Sequence, residues 1–445
     1  MLRIQAFFVI LHPEKKIIIM KRSFVRTLFI IIAAACCTTA CVRDNFKYYG
    51  YEDELEGYAP VDYIDQNHTW TLTATQSCGV NGIPGDAERV VILSGNPFTD
   101  IGVEIMGEVY TSVLAGRYAN ISYVAPQTLS TVYAAALDED GNYLSIASGA
   151  KNGTITLPSE APTGTPYSTV LQEMKYCFEA EYPKPGDWDY NDVVLSISKE
   201  ITPDNTKMVA LHVTLEAVGY LSQIAGAIRL AGYANDNVTI TKDDATTFVR
   251  EPNRERLMLT QKDVQFAALN GNAVIGLFDD AHLAMFHLAS DGSVYRRYFN
   301  TIENPTSSNN GATQSPITVT YYINFDDANI ARNFLLTEVD PFILVQYGTS
   351  GTNFWEVHTY PYKLTEVIYG YYNGAAQSYN NGFSWAVVVP DGNFRYPLEG
   401  QPIGMRKNSI VSGAYQTAGH SFGEWILDQD DAQDWYLYPA DGAVY

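Results

Sequence analysis

Residues 178–192 gather the side chains best suited to chemistry: Phe-Glu-Ala-Glu-Tyr-Pro-Lys-Pro-Gly-Asp-Trp-Asp-Tyr-Asn-Asp. Asp187, Asp189 and Asn191 stand at i, i+2 and i+4. In a loop this alternation can turn three oxygen-bearing side chains toward one point, while Trp188 and Tyr190 face the other way. Ca²⁺ takes six to eight oxygens at about 2.3–2.6 Å in an adaptable geometry, whereas Mg²⁺ tolerates an irregular loop less well. Asp187, Asp189, Asn191 and Asp192 fall within six residues, and like charges so close repel one another unless a cation lies among them. The expected ligand set is Asp187, Asp189, Asn191, Asp192 and Glu179, with Glu181 as the alternative to Glu179 and Ca²⁺ as the cofactor. An EF-hand is excluded. That motif needs Gly at its sixth position and a bidentate Glu at its twelfth, where this chain has Asp192 and Ser198. The competing expectation is an acidic turn in which Asp187 and Asn191 cap backbone N–H groups.

Other residues could do chemistry with less support from spacing. Glu356 and His358 lie at i, i+2 on an expected strand and so share a face; a buried polar pair is the more ordinary reading. Asp187 and Asp189 cannot by themselves flank a sugar, because glycosidase carboxyls stand about 5–9.5 Å apart across a cleft, although a distant partner such as Glu399 is open. The His-Glu-x-x-His zinc motif is absent. A binding or structural protein is therefore expected rather than an enzyme, with a glycan-active enzyme as the alternative. Tyr371, Tyr372, Tyr379 and Trp385 are the candidate ligand-binding aromatics, since rings beside Asn donors suit a sugar face or a protein partner.

The N-terminus reads as a targeting segment. Lys21-Arg22-Ser23-Phe24-Val25-Arg26 is basic, and the apolar run Leu28 to Ala35 closes on Cys36-Cys37-Thr38-Thr39-Ala40-Cys41. That run is far shorter than the ~20 residues a membrane-spanning helix needs, which fits a signal segment over residues 1–40. Met20 makes a better start than Met1. Thr38-Thr39-Ala40 supply the small residues expected immediately before a lipidated cysteine, so Cys41 is expected to be the acylated first residue of a lipoprotein tied to the outer membrane, facing either side. Plain secretion without a lipid is the competing reading. Residues 41–67 are too polar and acidic to pack into a core and are expected to be a tether.

Composition bounds the rest. The first 40 residues hold six of the 28 Lys and Arg and one of the 50 Asp and Glu, so the remainder carries 22 basic against 49 acidic side chains. Nucleic acid and anionic membrane surfaces need basic partners and are disfavoured. A surface glycan or a protein remains the expected partner, besides the membrane reached through Cys41.

The elements that must position these residues read as strands. Alternating or apolar β-type runs appear at Thr69–Thr73, Val90–Leu93, Ile101–Ile105, Val132–Leu137, Val193–Ile197, Met208–Ala217, Ile317–Ile323, Phe342–Tyr347, Phe354–Thr359 and Ala386–Val389. Asp138-Glu139-Asp140-Gly141-Asn142 reads as a hairpin turn, with Asp138 and Asp140 as weaker cation candidates. Short helices are expected near 261–269 and 326–334. The fold class is therefore all-β: two β-sandwich-like domains, residues 68–150 and 171–445, joined by a Pro/Gly/Ser/Thr-rich linker over 151–170. Beyond Cys41, Cys78 and Cys177 are the remaining cysteines. They could form a disulfide in an oxidising compartment.

Phe178-Glu179, followed by Gly186-Asp187-Trp188-Asp189-Tyr190-Asn191-Asp192-Val193-Val194, resembles the central motif of the LruC-type domain found in lipoproteins of Bacteroidetes. Residues 213–230 are similar to that family's next strands. So are Glu356-Val357-His358, the stretch Phe394-Arg395-Tyr396-Pro397-Leu398-Glu399-Gly400, Trp425 and Asp434-Trp435-Tyr436. The resemblance covers about residues 170–445. One departure is Ala180, where the family usually has Asp. The resemblance implies a cell-envelope or surface protein and implies no reaction.

Overall fold

The computed structural model describes residues 68–181, 186–243, 248, 264–268, 270–286, 290, 292–346, 354–359, 384–404 and 412–445, together with 10–11 and 17–18. The chain divides into two compact units, Met1–Leu55 and Glu56–Tyr445. In the first, Ile10–Leu11 pairs antiparallel with Ile17–Ile18. Cys41 and the tether lie outside the described residues, as do Tyr371, Tyr372 and Tyr379. No helix among the described residues is long and apolar enough to cross a membrane.

The second unit is all-β. In its N-terminal part a five-stranded sheet runs in the spatial order Val170–Leu171, Glu104–Tyr110, Arg89–Leu93, Thr131–Leu137, Tyr143–Ala150. A three-stranded sheet runs Tyr118–Pro126, Thr73–Asn81, Thr154–Thr156. Val90 and Ile92 bury against Cys78, Ile121 and Tyr123, while Val91 and Leu93, on the other face, bury with Val103, Ala135 and Leu137. Burial on both faces is why this strand reads as an unbroken apolar run. Cys78 and Cys177 are separate buried thiols in different sheets, so the disulfide considered from the sequence is not formed. Burial raises the Cys78 thiol and pushes that of Cys177 up to about 12.

The C-terminal part pairs a six-stranded sheet, Val238–Lys242, Ile317–Phe325, Met208–Ala217, Val193–Ile201, Glu173–Phe178, Ala386–Val389, with a five-stranded one, Gln265–Ala267, Asn272–Phe278, Ile224–Ala234, Val339–Gln346, Phe354–His358. Alternate residues of Met208–Ala217 and Ile317–Phe325 face a shared core: Val209, Leu211, Val213 and Leu215 with Val319, Tyr321 and Ile323. Ile228, Leu230, Ile275, Ile343 and Val345 meet them from the other sheet. Fully burying such a side chain contributes about 1.5–3 kcal/mol, so this core fixes the register of the strands that carry the acidic loop.

Several sequence expectations shift. The run Thr69–Thr73 is irregular up to Leu72, with Trp70 at φ 51°, and the strand begins at Thr73. Residues 265–267, expected within a helix, form an edge strand, because Phe266 buries against Ala225 and Phe342. The other expected helix is present at Ala328–Asn333, where the Asp327 carboxylate accepts the N–H of Asn329. Residues 151–170 are not a bare connection. Thr154–Thr156 pairs parallel to Gly79–Asn81 and sends Ile155 into the core, and Val170–Leu171 pairs with Glu104–Ile105. Tyr118–Pro126 and Asn272–Phe278 are strands that the sequence reading passed over.

Candidate metal centre

The acidic loop closes a hairpin in the middle of the six-stranded sheet. Glu173–Phe178 pairs antiparallel with Val193–Ile201, and Phe178 opposite Val193 is the last rung. Asp192 N donates to Phe178 O at 3.1 Å, so Glu179 and Asp192 face each other at the hairpin mouth. Both flanking strands are buried in the core and cannot splay.

Between those fixed ends the backbone is strained. Gly186, Trp188 and Tyr190 all have left-handed φ, at 62°, 66° and 52°. Glycine adopts this freely, whereas two bulky aromatic residues do so at a cost of roughly 1–2 kcal/mol each. Their burial overrides the cost: Trp188 and Tyr190 are enclosed, and Tyr190 Oη donates to Ser384 O at 2.5 Å. The alternation predicted from i, i+2, i+4 is thus realised by left-handed residues between the polar ones rather than by an extended strand. Strain held in place by surrounding packing points to a selected geometry.

One oxygen each of Glu179, Asp187 and Asp189 lie within 4.8 Å of one another. Glu179 and Asp189 are almost wholly buried, and Asp187 is half-buried at the lip. Glu179 Oε1 accepts the N–H of Tyr190 at 2.9 Å. Asp189 accepts from Asn191 N at 3.1 Å and from Gly400 N at 2.7 Å. Asp192 turns one oxygen to Ala180 N at 2.5 Å, and Asn191 donates from Nδ2 to Pro397 O at 3.1 Å. Glu179 Oε2 and Asn191 Oδ1 are buried with no hydrogen-bond partner among the described residues. An orphaned buried acceptor costs roughly 1–3 kcal/mol. Both press close to glycine backbone: a Cβ at Gly186 would collide with Glu179 Oε2, and one at Gly219 with Asn191 Oδ1.

The electrostatics follow from this crowding. Burial, then the charges of Asp192, Asp187 and Asp189, hold the Glu179 carboxyl well above the usual carboxylate range. Asp189 is raised by burial and by Asp187, Asp192 and Glu399. Asp192 is raised by burial and by Asp187. Glu399, outside the expected ligand set, adds its charge to the cluster. Its N–H donates to Thr301 O and its carboxylate accepts from Thr301 Oγ1 at 3.2 Å. Burial, then Asp187 and Asp192, push its carboxyl up to about 9. Its sequence expectation is that of a distant partner in a glycosidase pair, and the folding of residues 397–403 against the loop brings it there.

Chemically this is an all-oxygen donor set with excess negative charge and no His or Cys donor in the cluster, which suits a hard divalent cation rather than zinc. The residues present fit Ca²⁺: Glu179, Asp187 and Asp189 would hold it.

The remaining sequence candidates fall elsewhere. Trp385 is buried in the core and its carbonyl accepts the N–H of Glu179, so it offers no ring to a ligand. Glu356 and His358 do share a buried face. His358 donates to Asp340 at 2.8 Å and to Glu356 at 3.1 Å, and Arg229 pairs with Asp340 at 2.5 Å. Gly419-His420-Ser421-Phe422-Gly423 spells the Gly-x-Ser-x-Gly pattern, which the sequence reading overlooked. It is not a nucleophile elbow, whose Ser sits exposed on a strained turn. Ser421 has an unstrained φ of −108° and caps the helix Phe422–Leu427, with Oγ donating to Glu424 at 2.7 Å.

No family model matches the chain, and no curated protein matches it. Among solved structures the chain is similar to one provisionally named a lipoprotein, from Bacteroides ovatus. The two are 14% identical, with a TM-score of 0.46, over 81% of this chain and 99% of that one.

Proposed function

We propose that this chain is a lipid-anchored cell-envelope protein whose C-terminal β module is stabilised by a Ca²⁺ ion at Glu179, Asp187 and Asp189, and that it serves as a binding, adhesion or structural module. The observation that carries the calcium reading is the buried Glu179 Oε2, without a hydrogen-bond partner among the described residues, on a carboxyl clustered with Asp187 and Asp189. Ionised and empty, such a cluster is costly. A divalent cation neutralises the charge and occupies the open acceptors, so binding free energy becomes folding free energy.

Differential scanning calorimetry on the full chain in detergent, with Ca²⁺ or with EDTA, tests this. Stability is expected to rise as RT ln(1 + [L]/Kd), about 2.7 kcal/mol at a hundredfold excess over Kd. Superimposable melting curves would remove the calcium reading and leave an acidic turn.

The anchor reading rests on the basic segment, apolar run and small residues before Cys41. Cys41→Ser is expected to abolish incorporation of labelled fatty acid and release the protein from membranes; label in that variant would contradict it. Protease accessibility on intact cells assigns the side of the outer membrane. A second reading, a glycan-active enzyme, has one observation in its favour: Glu399, holding its proton to about 9, neighbours the partly exposed Asp187. A carboxyl that keeps its proton at neutral pH is what a general acid requires. Release of reducing sugar that disappears in Glu399→Gln would support it.

A further inference from the structure

We infer that cation binding at the hairpin mouth latches the C-terminal segment onto the six-stranded sheet and, through it, the entry segment His68–Thr71, so that free Ca²⁺ controls how the fold is closed where the chain enters it. This rests on the calcium reading above and adds a regulatory consequence to it. Three bonds join the loop to residues 397–403: Asn191 Nδ2 to Pro397 O at 3.1 Å, Gly400 N to Asp189 at 2.7 Å and Ile403 N to Trp188 O at 2.7 Å. Two of the three loop partners are candidate cation donors, and the third lies between Asp187 and Asp189. The residues that bind the ion therefore also bind the segment.

The segment is itself stitched together. Leu398 N donates to Ala443 O, Ala414 N to Pro402 O and Tyr415 N to Ile403 O. Phe422 brings its ring to 6.4 Å from Tyr190 of the loop and to 5.7 Å from Trp425. Trp425 and Gln429 in turn hold the start of the fold. Trp425 O bonds the His68 ring at 2.9 Å, Gln429 Oε1 accepts from Thr69 N and Oγ1 at 3.0 and 2.8 Å, and Trp70 meets Trp425 edge-on at 5.6 Å. An ion that fixes Asp189 and Asn191 favours the closed segment by its differential affinity for that state. Without the ion, Glu179, Asp187 and Asp189 lose the partner that ties them together, the acceptors that the segment needs loosen, and the opening is local rather than global.

Hydrogen exchange by mass spectrometry on the full chain in detergent, in saturating Ca²⁺ and in EDTA, reads this directly, with Ca²⁺ binding measured by titration calorimetry on the same preparation. Amides of 398–403 and 68–72 are expected to exchange about tenfold faster in EDTA, while the strands Arg89–Leu93 and Thr131–Leu137 stay unchanged. Asp189→Asn is expected to exchange in Ca²⁺ as the wild type does in EDTA; the wild-type comparison suffices should that variant misfold. Heat of Ca²⁺ binding with unchanged exchange at those segments, or with uniform acceleration of every strand, overturns the latch and leaves the calcium reading standing. No heat of binding overturns both.

Discussion

Two loops of this chain, Asp138–Asn142 and Asp187–Asp192, are acidic, close a hairpin and use the same local device. Asp138 Oδ1 accepts the N–H of Asp140, as an Asp189 oxygen accepts that of Asn191, two residues on in each case. In the first loop the carboxylate is fully satisfied. It also accepts the N–H and side-chain amide of Asn142, and these bonds hold the Asp138 carboxyl below its ordinary range in open solvent. In the second, burial and neighbouring carboxyls push Asp189 the other way. The turn chemistry is shared; the desolvation and the number of charges are not. Burial between core strands, and not the acidic letters alone, sets the second loop apart.

A third acidic cluster sharpens the contrast. Asp340 and Glu356 are as buried as Asp189, yet they are neutralised by side chains, Arg229 and His358. The largest effect is expected there: Asp340→Ala removes the buried carboxylate that Arg229 and His358 share and should cost about 3–5 kcal/mol in denaturant unfolding, with no rescue by Ca²⁺. Rescue by Ca²⁺ would erase the distinction between the clusters.

The same quartet sets a pH dependence. Burial lowers the His358 pKa, but Asp340 and Glu356 outweigh it and raise the ring to about 9. Because the folded value lies above the unfolded 6.5, the stabilisation is complete below about 6.5 and is lost as pH rises through about 9, at most about 3 kcal/mol. Melting curves over that window should show the alkaline decline, and His358→Gln should flatten it. An equal decline in the variant would place its origin elsewhere.

Asp189→Ala should remove most of the calcium-dependent gain, about 2.7 kcal/mol at a hundredfold excess over Kd, and change the calcium-free protein little because it also relieves repulsion. The smallest effect is expected at the exposed loop, where Asp138→Ala should leave calcium affinity within about twofold of wild type, as sites that share no partners act independently.

How much of this the sequence carries depends on distance along the chain. Strands with alternating burial, Met208–Ala217 and Ile317–Phe325, and runs buried on both faces, Arg89–Leu93, are legible because their pattern is local. The letters around Gln265–Ala267 suggest a helix, whereas its state is set by pairing with Asn272–Phe278 rather than by its own period. In the site, the spacing of Asp187, Asp189 and Asn191 is visible in the letters, and so is Glu179 as a residue near the loop. The entry of Glu399, and the enclosure of Trp385 that withdraws it from any surface, depend on contacts about 200 residues away in sequence. The left-handed Trp188 and Tyr190 run against local preference, and only burial makes them tenable.

Titration calorimetry of Ca²⁺ into wild type, Asp138→Asn and Asp189→Asn tests the central contrast most directly. Wild type and Asp138→Asn should give the same isotherm, and Asp189→Asn should bind about tenfold more weakly or worse, as loss of one charged oxygen contact costs about 1.5–3 kcal/mol. Equal isotherms for all three, or no heat from the wild type, would contradict the account.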